Sequence, residues 1–271
     1  MDLRKLAQIP PWDWPDDMAL ELLGVLRDSD VSPERRLLAV EMAGDMTVVN
    51  DELAEVLLAI VQNRDEQELL RGKAAIALGP ALEEADTMGF NDPDDSPISQ
   101  DLFGKLQQTL REVYQDTGQP KDVRRMVLEA AVRAPQEWHR EAIRSAYGSH
   151  DEEWKLTAVF CMVYVAGFEK EICEALDSDD PDIHYQAVRA AGNWEVKAAW
   201  KHVAALATSN RTDKPLQLAA IEAAAAIHPQ KARDLFVDLL DSDDEELREV
   251  AAEALVMAGQ GGEFHDDYDD E

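Results

Sequence analysis

Few residues of this chain are placed to do chemistry. Asp92-Pro93-Asp94-Asp95 gathers three carboxylates in four positions, the donor type that hard divalent cations take. The run lacks the glycine at loop position six and the distal glutamate of an EF-hand, so it reads as a solvated turn. The six histidines (139, 150, 184, 202, 228 and 265) are scattered, with no His-x-x-x-His and no cysteine beside them at ligand spacing. Cys161 has no histidine to which the sequence joins it as a nucleophile–base pair. Neither a glycine-rich phosphate loop nor a nucleophile elbow occurs. The residues therefore imply no catalytic, cofactor or metal site, and the expectation is a non-enzymatic protein.

Charge narrows the partner. With 57 acidic and 26 basic residues the formal net charge is −31. Such a surface repels phosphate backbones and anionic lipid, so nucleic acid and membrane are poor partners. It suits a salty solvent, a basic protein partner, or mimicry of nucleic acid. Cys161 and Cys173 each sit in apolar helical runs without a disulfide framework, which fits reduced thiols in the cytoplasm. The N-terminus lacks the apolar run of a signal peptide, and no stretch is long enough to span a bilayer.

The elements that carry these residues repeat. Leu176-Asp177-Ser178-Asp179-Asp180 recurs as Leu240-Asp241-Ser242-Asp243-Asp244, 64 residues later, about two periods of a short helical repeat. After each acidic turn comes a small-residue helix with an apolar stripe. Ile183, Ala187, Val188 and Ala191 form one; Leu247, Ala251, Ala252 and Leu255 form the other. Reading this pattern along the chain gives seven helix pairs over 16–259 and no strand. The acidic turns are expected to cap the helix N-termini.

Three segments depart from the period. Residues 1–15 carry three prolines with Trp12 and Trp14, read as a cap over the first repeat. Residues 80–97 form an acidic insertion, with Met88 and Phe90 as its apolar members and a possible lip for a partner. Residues 260–271 hold six acidic and no Lys or Arg residues, which predicts a disordered tail.

The pattern Asp/Glu-aliphatic-Arg-x-x-Ala-aliphatic-x-Ala-aliphatic-Gly appears at Asp182–Gly192, Glu246-Leu247-Arg248, Asp122-Val123-Arg124, Leu69–Gly79 and Glu34–Gly44. It resembles the HEAT repeat, in particular the short bacterial HEAT-like type also seen in phycobilin lyases. The resemblance implies an all-α right-handed superhelix. It aligns Arg36, Arg71, Arg124, Lys155, His184, Gln217 and Arg248 in one column, spaced 35, 53, 31, 29, 33 and 31. In the family this position implies a structural ladder, each rung bonded to a turn aspartate such as Asp30 or Asp65.

The resemblance also implies that the second helices line a concave surface for a protein partner. Its candidates here are Glu41, Asp45, Lys73, Glu129, Arg133, Gln186, Arg189, Asn193, Glu222 and Glu253, a column of mixed sign. A protein-binding scaffold is the expected function. A HEAT-like lyase and an acidic decoy of nucleic-acid-binding proteins are the alternatives.

Overall fold

The structure, a computed structural model, describes residues 2–92 and 96–260. Residues 93–95 of the acidic insertion and 261–271 of the expected tail lie outside it. All regular structure among the described residues is helical. Helices α1 (Leu3–Leu6), α2 (Met18–Arg27), α3 (Pro33–Ala43), α4 (Asp51–Gln62), α5 (Glu68–Met88), α6 (Gln100–Gln115), α7 (Lys121–Ala131) and α8 (Glu137–Tyr147) come first. They are followed by α9 (Glu152–Met162), α10 (Glu169–Ala175), α11 (Pro181–Asn193), α12 (Trp200–Thr208), α13 (Lys214–Ile227), α14 (Pro229–Phe236) and α15 (Glu245–Gln260). The chain divides into two compact units, residues 1–142 and 143–271.

In the first unit α2 packs on α3, α4 on α5 and α6 on α7, and the second helices stack in order, α3 on α5 and α5 on α7. The second unit repeats this with α10 on α11, α12 on α13 and α14 on α15, while α9, α11, α13 and α15 stack in turn. Each pair thus buries one face on its own partner and another on the next pair, which is why the apolar stripe recurs at the repeat period. Ile183, Ala187, Val188 and Ala191 are fully buried. At the last pair Ala251 is buried but Ala252 is exposed.

Small residues set the spacing. A Cβ on Gly192 would lie 2.7 Å from Cα of Ala223, and one on Gly44 would lie 2.8 Å from Cα of Ala77. Only glycine lets those successive second helices touch.

The turns cap the helices as their side chains require. Ser32 accepts from Arg35 N–H with Pro33 at the first helical position, and Asn50 accepts from Leu53 N–H at 3.0 Å. Asp180 Oδ1 accepts from Asp182 N–H at 2.9 Å and Ile183 N–H at 3.1 Å, and Asp244 Oδ1 does the same for α15.

Two expectations change. The insertion does not begin at Pro80, because α5 runs straight through it to Met88. The missing proline N–H costs about 3 kcal/mol. Full burial of Ala81, Leu82 and Ala85 on the continuing stripe offsets that. Beyond it Met88 is half exposed, while Phe90 packs on Phe103 with ring centroids 5.3 Å apart. At the N-terminus Trp14 is half-buried against the core, its Nε1–H donating to Leu6 O at 2.9 Å, whereas Trp12 is 77% exposed. Leu3 on α1 is buried in the same core.

Candidate partner-binding groove

Four members of the column form a regular series that shares a backbone carbonyl as acceptor, and Arg36 and Arg71 bond that carbonyl in place of the expected Asp30 and Asp65. Arg71 Nε donates to Val61 O at 2.9 Å, Arg124 Nε to Tyr114 O at 2.8 Å, and Gln217 Nε2 to Ala207 O at 3.0 Å. Arg36 reaches Leu26 O at 3.5 Å. In all four the acceptor lies ten residues earlier, at the end of the preceding first helix. A helix leaves its last carbonyls unbonded, and a long donor rising from the next helix satisfies one of them. The geometry explains the departure from the expected turn aspartates: Asp30 and Asp65 are held in local turns, their N–H groups bonded to Asp28 and Asn63 side chains.

The remaining guanidinium donors tie successive repeats together. Arg36 grips both oxygens of Glu66 at 2.9 and 2.6 Å, and Arg71 donates to Gln119 Oε1 at 2.7 Å. Arg71 is 2% exposed, and burial pushes its pKa down, although guanidinium stays charged.

Other members break the series. Arg248 donates to Ser242 O, only six residues back, and Lys155 sits over the Tyr147 ring at 5.9 Å. His184 instead faces His202, Nε2 to Nε2 at 2.9 Å.

The candidate contact residues separate by unit. In the first, they are engaged with the protein itself. Lys73 and Glu41 pair with each other at 3.4 Å, Asp45 Oδ1 accepts from Thr47 N–H at 2.8 Å, and Arg133 crosses Gly79 to reach Glu83 at 2.8 Å. Glu129 is half buried. In the second, Arg189, Asn193 and Glu222 line one cavity of about 330 Å³ with Glu195 and Ala223. An adjoining cavity of about 370 Å³ is lined by Tyr185, Arg189, Lys214, Leu218, Glu222 and Glu246. Because both contain Arg189, Ala219 and Glu222, they form one continuous groove over α11 and α13.

Charges in this groove are unevenly satisfied. Among the described residues Arg189 donates only to the neutral Gln186 at 3.1 Å, and Asn193 donates to Val163 O at 2.7 Å. Lys214 pairs with Asp244 at 2.9 Å and Glu246 at 2.7 Å, which raises its pKa, and its bond lowers that of Asp244. Glu222 is exposed and has no ion pair or hydrogen bond to a described residue; the same holds for Glu253 on α15. Glu195, Lys214 and Tyr185 were not among the expected contacts. Lys214 could have been found by aligning repeats, since its acidic partners lie one period onward.

Glu195 holds an uncommon backbone position. It has φ +48°, the single non-glycine among the described residues with positive φ. Its N–H donates to Gly192 O at 3.1 Å and Val196 N–H donates to Ala191 O at 2.9 Å. This is the paired closing bond of a Schellman motif, with glutamate where glycine is usual.

Among curated proteins none matches the chain. Several solved structures do. One engineered protein is 19% identical, covering 77% of this chain and 97% of its own, with a TM-score of 0.46. Human deoxyhypusine hydroxylase in complex with glycerol is 16% identical, covering 95% and 96%, at 0.41. A designed armadillo repeat protein in complex with peptide (KR)4 is 14% identical, covering 88% and 98%, at 0.39. No helix among the described residues is long and apolar enough to cross a membrane. The HEAT repeats family matches residues 169–256, the segment from α10 into α15 that builds the groove.

Proposed function

We propose that the protein is a non-enzymatic scaffold that binds a segment of another protein in the groove over α11 and α13. The observation that carries this reading is the groove floor itself. Small residues (Gly192, Ala219, Ala223) leave it open, while Arg189 and Glu222 line it without a partner of opposite charge among the described residues. Charged groups held at a concave site without internal partners are available for recognition, and they contribute specificity and association rate more than bulk affinity. The excess of carboxylates along this groove (Glu195, Glu222, Glu246) favours a segment presenting basic side chains.

The test is photo-crosslinking from Ala219, with Glu222→Lys and Glu41→Lys compared as binding variants. A discrete protein adduct, lost with Glu222→Lys and kept with Glu41→Lys, is expected. Equal loss in both variants would move the contact out of the groove. A copurifying pigment would favour a lyase, and capture of polymerases or repressors would favour a decoy.

A further inference from the structure

In the ladder column, histidine stands at one position where four other repeats place a long donor. His184 makes no bond to the carbonyl ten residues back. It turns toward His202 on α12, the first helix of the next pair. The two rings meet edge-on at 75°, with centroids 5.1 Å apart. That separation exceeds the 2.9 Å N···N distance by little more than an imidazole's width, so the two Nε2 atoms point at each other.

The chemistry of such a bond is restrictive. A neutral imidazole carries one N–H and one lone pair, so one ring must donate from Nε2 and the other accept there. Asp177 Oδ1 lies 3.9 Å from His202 Nδ1, which favours the proton on that nitrogen and leaves His202 Nε2 as the acceptor. His184 is then the donor. A proton added to His184 Nδ1 leaves the bond intact, but a proton added to His202 Nε2 removes the acceptor and sets two N–H groups head to head.

We propose that the His184–His202 pair is a proton-operated latch between α11 and α12, closed at neutral pH and opened by acid. It works at the junction between two successive helix pairs of the second unit, independently of what the groove binds. The charged groups that act on it are two carboxylates. The carboxylates of Asp177, after α10, and Asp213, capping α13, favour protonation of His184; burial and His202 oppose it, and burial is the larger effect, so its pKa is lowered. On α10 the Cys173 thiol is pushed up by burial and by Asp177, so it stays a neutral neighbour. From α9, Lys155 is held over Tyr147, and from α14, Lys231 lies over the Trp200 ring. The opening event is a proton on His202 Nε2, which removes the acceptor, so the latch is closed while that nitrogen keeps its lone pair and opens in acid.

The experiment reads the bond directly in the unaltered full-length protein. Nitrogen-15 NMR at pH 7.5 should show scalar coupling between the two Nε2 nuclei across the hydrogen bond. At pH 5 the coupling should vanish, and amide exchange in α12, corrected for its intrinsic pH dependence, should quicken by about tenfold. His184→Arg, which restores the usual column residue, should fold and show exchange in α12 independent of pH. Absence of coupling at pH 7.5 would overturn the latch whatever the variant does. So would equal pH dependence of α12 exchange in variant and wild type.

Discussion

Arg71 Nε lies 2.9 Å from the carbonyl oxygen of Val61, ten residues earlier, and the side chain is buried to 2% exposure. One guanidinium thereby closes the end of α4 and, through Gln119, reaches the turn before α7. Two successive helix pairs share this single side chain.

Arg71→Ala should therefore cost about 3 kcal/mol, since it leaves a buried carbonyl and a side-chain amide without their donor. Arg71→Gln should cost less, because Gln217 makes the equivalent bond to Ala207 in another repeat. Lys73→Ala removes an exposed pair with Glu41 and should cost under about 0.5 kcal/mol. Urea midpoints give the ranking, and equal midpoints for all three variants would refute the rung.

His139 makes the first unit sensitive to acid. Its Nδ1 accepts from Gln136 N–H at 2.8 Å at the start of α8, while Nε2 is buried without a partner among the described residues. Burial, the main cause, lowers its pKa from 6.5 to about 4. The unfolded chain thus binds the proton first, and stability should fall as pH drops from 6.5 toward 4, by roughly 3 kcal/mol in all. His139→Gln retains an acceptor for the Gln136 N–H and should flatten that slope. An unchanged slope in denaturation curves across this window would exclude His139 as its source.

Glu195 should be worth more to binding than to folding. Replacing it with glycine relieves a left-handed backbone at the end of α11 and should stabilise the protein by about 1 kcal/mol. The same change removes a groove carboxylate and a contact to Lys197 at 3.3 Å. A higher melting temperature with weaker partner binding is expected. A lower melting temperature would show that the carboxylate, and not the backbone, governs the site.

Salt should raise thermal stability. At −31 the surface carboxylates repel one another, and the screening length falls from about 10 Å at 0.1 M salt to about 3 Å at 1 M. Melting temperature should climb between those concentrations of sodium chloride. A flat or falling curve would mean that pairs such as Lys214 with Asp244 already compensate the charge.

What the sequence determined by itself is local or periodic. The N-caps Ser32, Asp180 and Asp244 act within three residues of their own positions, so their turns were legible without a fold. The stacked stripes follow from a repeat in which each unit meets only its neighbours. The tertiary structure alone decided where long side chains go. The column of Arg71, Arg124 and Gln217 was visible, but its acceptor is a carbonyl exposed only when the preceding helix ends, which a residue pattern does not encode. Pro80 looked like a break because a local rule was applied where burial of Ala81, Leu82 and Ala85 outweighs it. His184 and His202 are 18 residues apart and matched no motif. They meet because α11 and α12 both pack on α13, and that juxtaposition is set by packing, not by spacing.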